Sequence, residues 1–140
     1  MAELTDKLVE IFKNKDIEAL AALYREDGVL VHPFFPEPLK GRDVIRQAEG
    51  GLFAAFDDIV MDVKTVVESG HIIAAELVVG ATHTQPMPTP DGNMIPATGK
   101  RLELAMGEFW RLDDDGRIIE EHRYLDTATM FAQLGLAPGA

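Results

Sequence analysis

The sequence predicts an α+β domain in which helices precede a run of strands. Apolar residues within residues 1–27 and 42–56 recur three or four residues apart, which is the spacing of one helix face. From Asp58 onwards, apolar and polar residues alternate, as in strands that bury one face. Because each element must bury its apolar side, segregated helices and strands indicate a layer of helices that covers one side of a curved sheet.

Two short helices are expected within residues 1–27. Their apolar faces are separated by a polar corner at residues 14–16, and Asp16 is placed to cap the second helix. Asp27 and Gly28 are expected to end that helix, because glycine readily adopts the backbone conformation found at helix ends. A strand over residues 29–31 follows.

A loop rich in proline and a third helix come next. Pro33, Pro36 and Pro38 exclude regular structure before Gly41, since proline has a fixed φ and no backbone N–H. Residues 42–56 then show helical spacing. The apolar positions expected to face the core are Val44, Ile45, Ala48 and Leu52.

Four long strands are expected after this helix, over residues 59–67, 71–83, 100–112 and 117–125. Residues 85–96, between the second and third strands, contain so many prolines that we expect a loop without strand pairing. A hairpin turn at residues 113–116 joins the last two strands, because its final Gly116 can adopt a positive φ.

Length and charge limit what the chain can be. Its 140 residues fit one domain, over residues 1–140, with a globular balance of 46% hydrophobic and 26% charged residues. A net charge of −11 repels nucleic acid and anionic membranes, so neither is an expected partner. Cysteine, a signal-peptide pattern and an apolar run of about 20 residues are all missing, so we expect a soluble, cytoplasmic protein.

His32 is the first candidate site residue, because it stands between an apolar strand and a rigid aromatic loop in the run VHPFFPEP at residues 31–38. A small domain would build a pocket at such a junction. Imidazole can take or give a proton near neutral pH, so His32 at the rim of an apolar cavity is a candidate acid or base. The alternative is a histidine that only packs and forms hydrogen bonds.

Glu108 is the second candidate. Alternation places it on the same strand face as Met106 and Trp110, between two large apolar side chains. Loss of water around a carboxyl raises its pKa, which favours a neutral acid able to donate a proton or a hydrogen bond. Alternatively, Glu108 pairs with a cation across the sheet, or faces solvent from the opposite side.

The last strand has two possible phases, and alternation does not choose between them. Either Glu121 and Arg123 or Glu120 and His122 face the same side as Glu108. Arg123 on the inside would hold Glu108 as a carboxylate through a charge-assisted hydrogen bond, which is different chemistry from a neutral acid.

No metal site is expected. His71 and His83 stand at strand ends without a second ligand at a suitable spacing. The three aspartates at residues 113–115 belong to a turn too short to surround a calcium ion. The glycines and the single serine match no phosphate-binding loop or nucleophile motif.

Three stretches of the chain resemble the nuclear transport factor 2-like superfamily, and within it the SnoaL-like polyketide cyclases and ketosteroid isomerases. They are LYREDGVLVHP at 23–33 with EPLKG at 37–41, THT at 82–84 with PATGKR at 96–101, and WRL at 110–112 through GRI at 116–118 to YLD at 124–126 and QLGL at 133–136. The resemblance implies a cone-shaped, strongly curved mixed or antiparallel sheet packed on three N-terminal helices, that is, a cystatin-like α+β barrel. It also implies a homodimer that covers the outer surface of the sheet.

The resemblance also assigns roles to single residues. His32 falls where ketosteroid isomerases have the aspartate that shuttles a proton, and Glu108 where they keep a protonated aspartate that donates to the dienolate oxygen. Leu8 replaces their oxyanion tyrosine, and Arg123 replaces the catalytic aspartate of the SnoaL-like cyclases. Asp126 is typical of the family and is expected to cap a final short helix.

The function implied by the resemblance is acid/base catalysis without a cofactor, as an isomerase or an intramolecular aldol cyclase, on a small hydrophobic carbonyl compound of polyketide or steroid type. His32 would remove a proton next to the carbonyl, and Glu108 or Arg123 would stabilise the enolate oxygen. The apolar walls would come from Phe35, Met106 and Trp110. The alternatives are non-catalytic binding of a small hydrophobic ligand in the same cavity, and hydrolase or dehydratase chemistry.

Overall fold

Four helices and eight strands make up residues 2–136, the part of the chain that the computed structural model describes. The helices are α1 (Glu3–Asn14), α2 (Ile17–Ala22), α3 (Arg42–Ala55) and α4 (Thr127–Gln133). The strands are β1 (Tyr24–Val31), β2 (Leu39–Lys40), β3 (Phe56–Ser69), β4 (Ile72–His83), β5 (Met87–Pro88), β6 (Met94–Ile95), β7 (Arg101–Leu112) and β8 (Ile118–Tyr124). The expected third helix and the four expected long strands are confirmed.

Six of the strands form one mixed sheet in the order β2-β1-β8-β7-β4-β3. The pairing of β1 with β8 is parallel and the other pairings are antiparallel. Register shifts between β3 and β4 and between β7 and β8 bend these strands. This curved sheet confirms the α+β class. Within residues 2–136 the sheet is open at β2 and β3, and its curvature over the helices confirms the expected cone.

The core lies between the inner face of the sheet and the helices. Leu4, Leu8 and Ile11 of α1 are buried, and their spacing places them on one face of that helix. Phe12 of α1 contacts Phe53 of α3 edge to face, with ring centroids 5.0 Å apart. Because α1 and α3 also contact β3, these helices and the sheet enclose the same interior. No helix within residues 2–136 is long and apolar enough to cross a lipid bilayer.

The second helix is shorter than expected, and the residues after it form a strand. α2 ends at Ala22, and Tyr24 already belongs to β1, so a helix that continues to Asp27 is wrong. The N–H of Ile118 donates to the carbonyl of Leu23 at 2.8 Å, which joins this segment to β8. Apolar residues at short spacing fit a helix or a strand, and here the long-range pairing decides.

The proline-rich segment at residues 85–96 also differs from its expected structure. Met87 and Pro88 pair with Met94 and Ile95 to form the small hairpin β5–β6, so the expectation of no pairing is wrong. The turn is held by Thr89, whose N–H donates to the carbonyl of Asn93 at 2.9 Å. Only two residues pair on each strand, so the pairing requires few backbone N–H donors. The missing N–H group of proline therefore does not prevent it. The hairpin buries Met87 completely.

The final helix is capped as expected. The Asp126 side chain accepts hydrogen bonds from the N–H groups of Ala128 and Thr129, which satisfies donors at the start of α4. α4 packs on β7 and buries Met130. The capping carboxylate therefore positions a helix that contributes to the interior.

Candidate functional site

A small cavity between the sheet and the helices is the centre of the candidate site. Its volume is about 100 Å³, and apolar side chains from α1, α3, α4, β3, β4 and β7 form most of its lining. Three polar side chains also line it: His32, Glu49 and Arg123. They are only 6%, 2% and 6% exposed, respectively. A few polar groups in an otherwise apolar cavity can orient a small ligand.

Arg123 reaches the cavity because β8 contains a bulge. The register between β7 and β8 shifts by one residue at Ile119. As a result, Ile118 and Arg123 are both buried, although strict alternation would put them on opposite faces. The phase with Ile118 inward therefore applies before the bulge, and the phase with Glu121 and Arg123 inward applies after it. At the cavity, Arg123 lies inside and His122 belongs to the opposite face.

Arg123 is the centre of a buried polar cluster, called here the Arg123 cluster, which consists of Tyr24, Glu49, Glu108, Glu121 and Arg123. The Arg123 Nε donates to Oε1 of Glu108 at 2.9 Å, and Nη2 donates to Oε2 of Glu121 at 3.0 Å. Nη2 also lies 2.6 Å from Oε1 of Glu49, off the N–H direction, so this contact is an ion pair rather than a linear hydrogen bond. Tyr24 donates its hydroxyl hydrogen to Glu121. Three carboxyl groups therefore surround one guanidinium.

The protonation of the cluster follows from its burial. Three ionised carboxylates beside one cation would be costly away from water. Burial raises the pKa of Glu108 well above its usual range, which the charge of Arg123 opposes and that of Glu121 reinforces. Burial acts upward on the pKa of Glu121 as well, but the Arg123 charge and hydrogen bonds within the cluster outweigh it and lower that pKa. Glu108 thus pairs with Arg123 while burial opposes its ionisation, so features of both alternatives expected for it are present.

Glu49 is a site residue that the spacing of apolar residues did not indicate. Ile45, Glu49 and Phe53 lie four residues apart on α3, and all three are buried. The buried face of α3 is therefore rotated from the expected one, and Val44 is 46% exposed. The available signal was a carboxylate four residues from two large apolar side chains. A buried carboxylate at Glu49 is stable only beside a cation, which here is Arg123. The spacing of residues along α3 does not reveal that Arg123 lies next to it.

His32 follows β1 directly and lines the cavity as a neutral imidazole. The backbone N–H of Phe34 donates to Nδ1 at 3.1 Å, which assigns the ring proton to Nε2. Burial, joined by the charge of Arg123, lowers the pKa of His32 to about 3, although Glu121 acts in the opposite direction. At neutral pH His32 is therefore a hydrogen-bond donor through Nε2. The low pKa and the occupied Nδ1 both oppose the expected role as the base.

The residues expected to form apolar walls are only partly brought together. Met106 lines the cavity. Phe35 instead lines a separate surface groove, because a tight turn after β1 gives the cavity-facing position to Phe34. Trp110 is 1% exposed and pairs with Glu121 across β7 and β8, but it does not line the cavity. The expectations for Phe35 and Trp110 are corrected accordingly.

The acidic side chains of the site surround the guanidinium of Arg123. Within residues 2–136 no group of three or more histidine or acidic side chains is arranged to hold a metal ion. The carboxyl groups that come together here are directed at the guanidinium of Arg123. Its positive charge is covalently fixed to β8, and it can donate hydrogen bonds but cannot accept a proton.

Replacing Arg123 by Met should lower the free energy of unfolding by about 3–5 kcal/mol, because buried carboxyl groups would lose their only cation in the cluster. Urea unfolding at neutral pH measures this change. Lys64→Met is the control, since it removes an exposed ion pair with Asp62 and should leave the unfolding free energy nearly unchanged. If the two replacements change the unfolding free energy equally, Arg123 does not compensate the buried carboxyl groups as proposed.

His32 should make the protein less stable as the pH falls. Its pKa is about 3 in the fold, whereas the unfolded chain binds the proton near pH 6.5, so this contribution to stability is present above pH 6.5 and is lost towards pH 3. The unfolding free energy should fall between these values by up to about 1.4 kcal/mol per pH unit more than in a His32→Gln variant. NMR of the imidazole nitrogens provides a direct check. If the imidazole of His32 titrates near pH 6.5 in the folded protein, it is not held as a neutral hydrogen-bond donor.

Comparison with known proteins was made for the sequence and for the fold. The family model described as a SnoaL-like domain matches residues 5–121. No curated protein matches the sequence. IdmH from Streptomyces antibioticus, a putative polyketide cyclase, is a similar solved structure with 28% identity and a TM-score of 0.72, over 94% of this chain and 96% of that chain.

Two other solved structures share the fold at lower identity. One is a hypothetical protein with a ketosteroid isomerase-like fold from Catenulispora acidiphila in complex with trimethylamine, with 18% identity and a TM-score of 0.78 over 97% of this chain and 95% of that chain. The other is AclR from Streptomyces galilaeus, a putative hydroxylase, with 23% identity and a TM-score of 0.74 over 94% and 92%. The match of the family model to most of the sequence, together with this shared fold, establishes that the chain belongs to the SnoaL-like domain family.

Proposed function

We propose that this protein enolises a small apolar carbonyl compound by acid/base catalysis without a cofactor, as an isomerase or an intramolecular aldol cyclase. The observation that carries the proposal is the polar lining of the cavity, where a guanidinium, a neutral imidazole and a carboxylate meet in apolar surroundings. Such groups can bind a carbonyl oxygen and stabilise the negative charge that develops on it. The names of the relatives, which include a putative polyketide cyclase, support the same class of chemistry.

Arg123 is the principal donor to the enolate oxygen in this proposal. Its Nε and Nη2 are engaged with carboxyl groups of the Arg123 cluster. Nη1 has no hydrogen bond among the described residues, so it is the guanidinium nitrogen left for a ligand in the cavity that Arg123 lines. A fixed donor in a site shielded from water stabilises a developing oxyanion more strongly than water would.

His32 is the second donor, through Nε2. A neutral imidazole that donates a hydrogen bond polarises a carbonyl and does not need to change its protonation state. Glu108 keeps the guanidinium oriented by accepting a hydrogen bond from Nε, and burial opposes the ionisation of Glu108 by raising its pKa. This assignment replaces the base role expected for His32, retains the stabilising role expected for Arg123, and gives Glu108 the role of orienting Arg123 in place of direct contact with the enolate oxygen.

The size of the cavity limits the substrate. A ligand site for a drug-sized molecule usually has about 300–1,000 Å³, and an apolar cavity of about 150 Å³ can hold benzene. A volume of about 100 Å³ therefore suits a compound of a few heavy atoms, or one end of a larger molecule. A whole steroid or polyketide would need additional space. Leu52 lies between the cavity and the neighbouring surface groove, so a shift of this side chain could supply that space.

Exchange of the α-hydrogens of cyclopentanone for deuterium tests the proposal without knowledge of the natural substrate. Proton NMR in heavy water should show faster exchange with the protein than with buffer. His32→Phe keeps an aromatic ring and removes the Nε2 donor, so it should slow exchange about 100-fold or more. His71→Phe, at an exposed position, is the control and should change nothing. Binding of cyclopentanone without any exchange would favour the non-catalytic binder.

A homodimer formed through the outer face of the sheet is a further part of the proposal. Val67, Ala74, Phe109 and His122 are successive partners across four strands on this face. Phe109 is 50% exposed, and Tyr124 beside it is 57% exposed. Exposed apolar side chains grouped on one surface are typical of an interface.

Light scattering after gel filtration should therefore give the mass of a dimer at micromolar concentration. Phe109→Glu should shift the protein to the monomer, because it puts a charge into the proposed interface. Val44→Glu is the matched control, since Val44 is similarly exposed on α3. A wild-type protein that elutes as a monomer would contradict the dimer.

A further inference from the structure

We propose that Glu49 is the base that removes the proton next to the substrate carbonyl, an inference that rests on the enolisation proposed above. Glu49 lines the cavity and is 2% exposed. It lies on α3 and contacts Arg123 of β8 at the cavity wall. A base must reach the substrate, and this carboxylate meets that condition.

The carboxylate of Glu49 is available to accept a proton. Its Oε1 is fully buried against Arg123, whereas Oε2 is not fully buried and accepts no hydrogen bond within residues 2–136. The contact with Nη2 of Arg123 at 2.6 Å supplies a compensating charge without a linear hydrogen bond. Oε2 is therefore the carboxylate oxygen left to accept a proton from a ligand in the cavity.

The other possible bases are already engaged. Glu121 accepts hydrogen bonds from Tyr24 and Arg123, and Glu108 accepts one from Nε of Arg123. Neither of these two glutamates lines the cavity, whereas Glu49 does. The Nδ1 lone pair of His32 accepts the N–H of Phe34, and Nε2 carries a hydrogen. Glu49 is therefore the acceptor that the described cavity lining leaves for a carbon acid.

The proposed step balances without any added reagent. An oxygen of Glu49 takes the α-proton, the electrons of the broken C–H bond form the C=C bond, and the carbonyl π electrons move to oxygen. Arg123 and His32 donate hydrogen bonds to that oxygen. In an isomerisation, protonated Glu49 returns the proton to a different carbon. In a cyclisation, the enolate carbon attacks a second carbonyl, and the resulting alkoxide receives the proton.

The ion pair between Glu49 and Arg123 explains how one small molecule can reach both groups. The base and the oxyanion donor are adjacent, as the α-hydrogen and the carbonyl oxygen are in the substrate. Because helix α3 and strand β8 are both packed in the core, the two groups are held in fixed positions. A compact cyclic ketone is the substrate class that fits this spacing and the volume of about 100 Å³.

Glu49→Gln tests the inference, since it keeps the size of the side chain and removes the base. Exchange of the α-hydrogens of cyclopentanone should fall by about 100-fold or more, the usual contribution of a positioned base. Binding of cyclopentanone, followed by NMR titration, and the amide NMR spectrum should stay close to those of the wild type. Glu10→Gln on the exposed face of α1 is the matched control and should exchange at the wild-type rate.

Rescue by a small carboxylate separates a base from a structural residue. Glu49→Ala should exchange slowly, and added formate should restore part of the rate by entering the space that the side chain left. If Glu49→Gln exchanges as fast as the wild type, the assignment of Glu49 is wrong while the enolisation proposal stands. If the wild-type protein does not accelerate exchange above the rate in buffer, the enolisation proposal and the assignment of Glu49 are both wrong.

Discussion

The burial of one guanidinium among three carboxyl groups is the constraint on which the rest of this site depends. Arg123 binds side chains from β1, α3, β7 and β8 into one cluster, either directly or through Glu121. A charge removed from water is tolerated only where partners surround it. The four elements must therefore meet in one arrangement for any of these groups to be satisfied. The position of the cavity wall therefore depends on the correct packing of all four elements.

The same burial sets the chemical character of each polar group in the cavity. Poor solvation and a nearby cation keep His32 neutral, so its ring donates rather than accepts. Poor solvation also raises the pKa of Glu108, whereas the charge of Arg123 acts in the opposite direction. Donors and an acceptor thus line the same largely apolar cavity. Water would weaken each of these differences by screening the charges.

Local pattern predicts most of the elements, and its errors have a common origin. The helix over residues 42–56 and the four long strands were predictable because their periods extend over many residues. Tyr24 was assigned to a helix, although the pairing of β1 with β8 draws it into a strand. Glu49 was overlooked because a carboxylate on a helix normally faces water. In both cases a distant partner, on β8, overrides what the neighbouring residues indicate.

The sequence by itself determined the α+β class, the order of the elements, the family and the presence of His32 at the junction of a strand and an aromatic loop. Only the tertiary structure decided which residues share the cavity and in what protonation state. The reason is physical: side-chain periods within an element depend on near neighbours, whereas a single bulge at Ile119 changes which side chains of β8 face inward. Protonation likewise depends on the charges and the burial that other elements impose, and these exist only after the chain has folded.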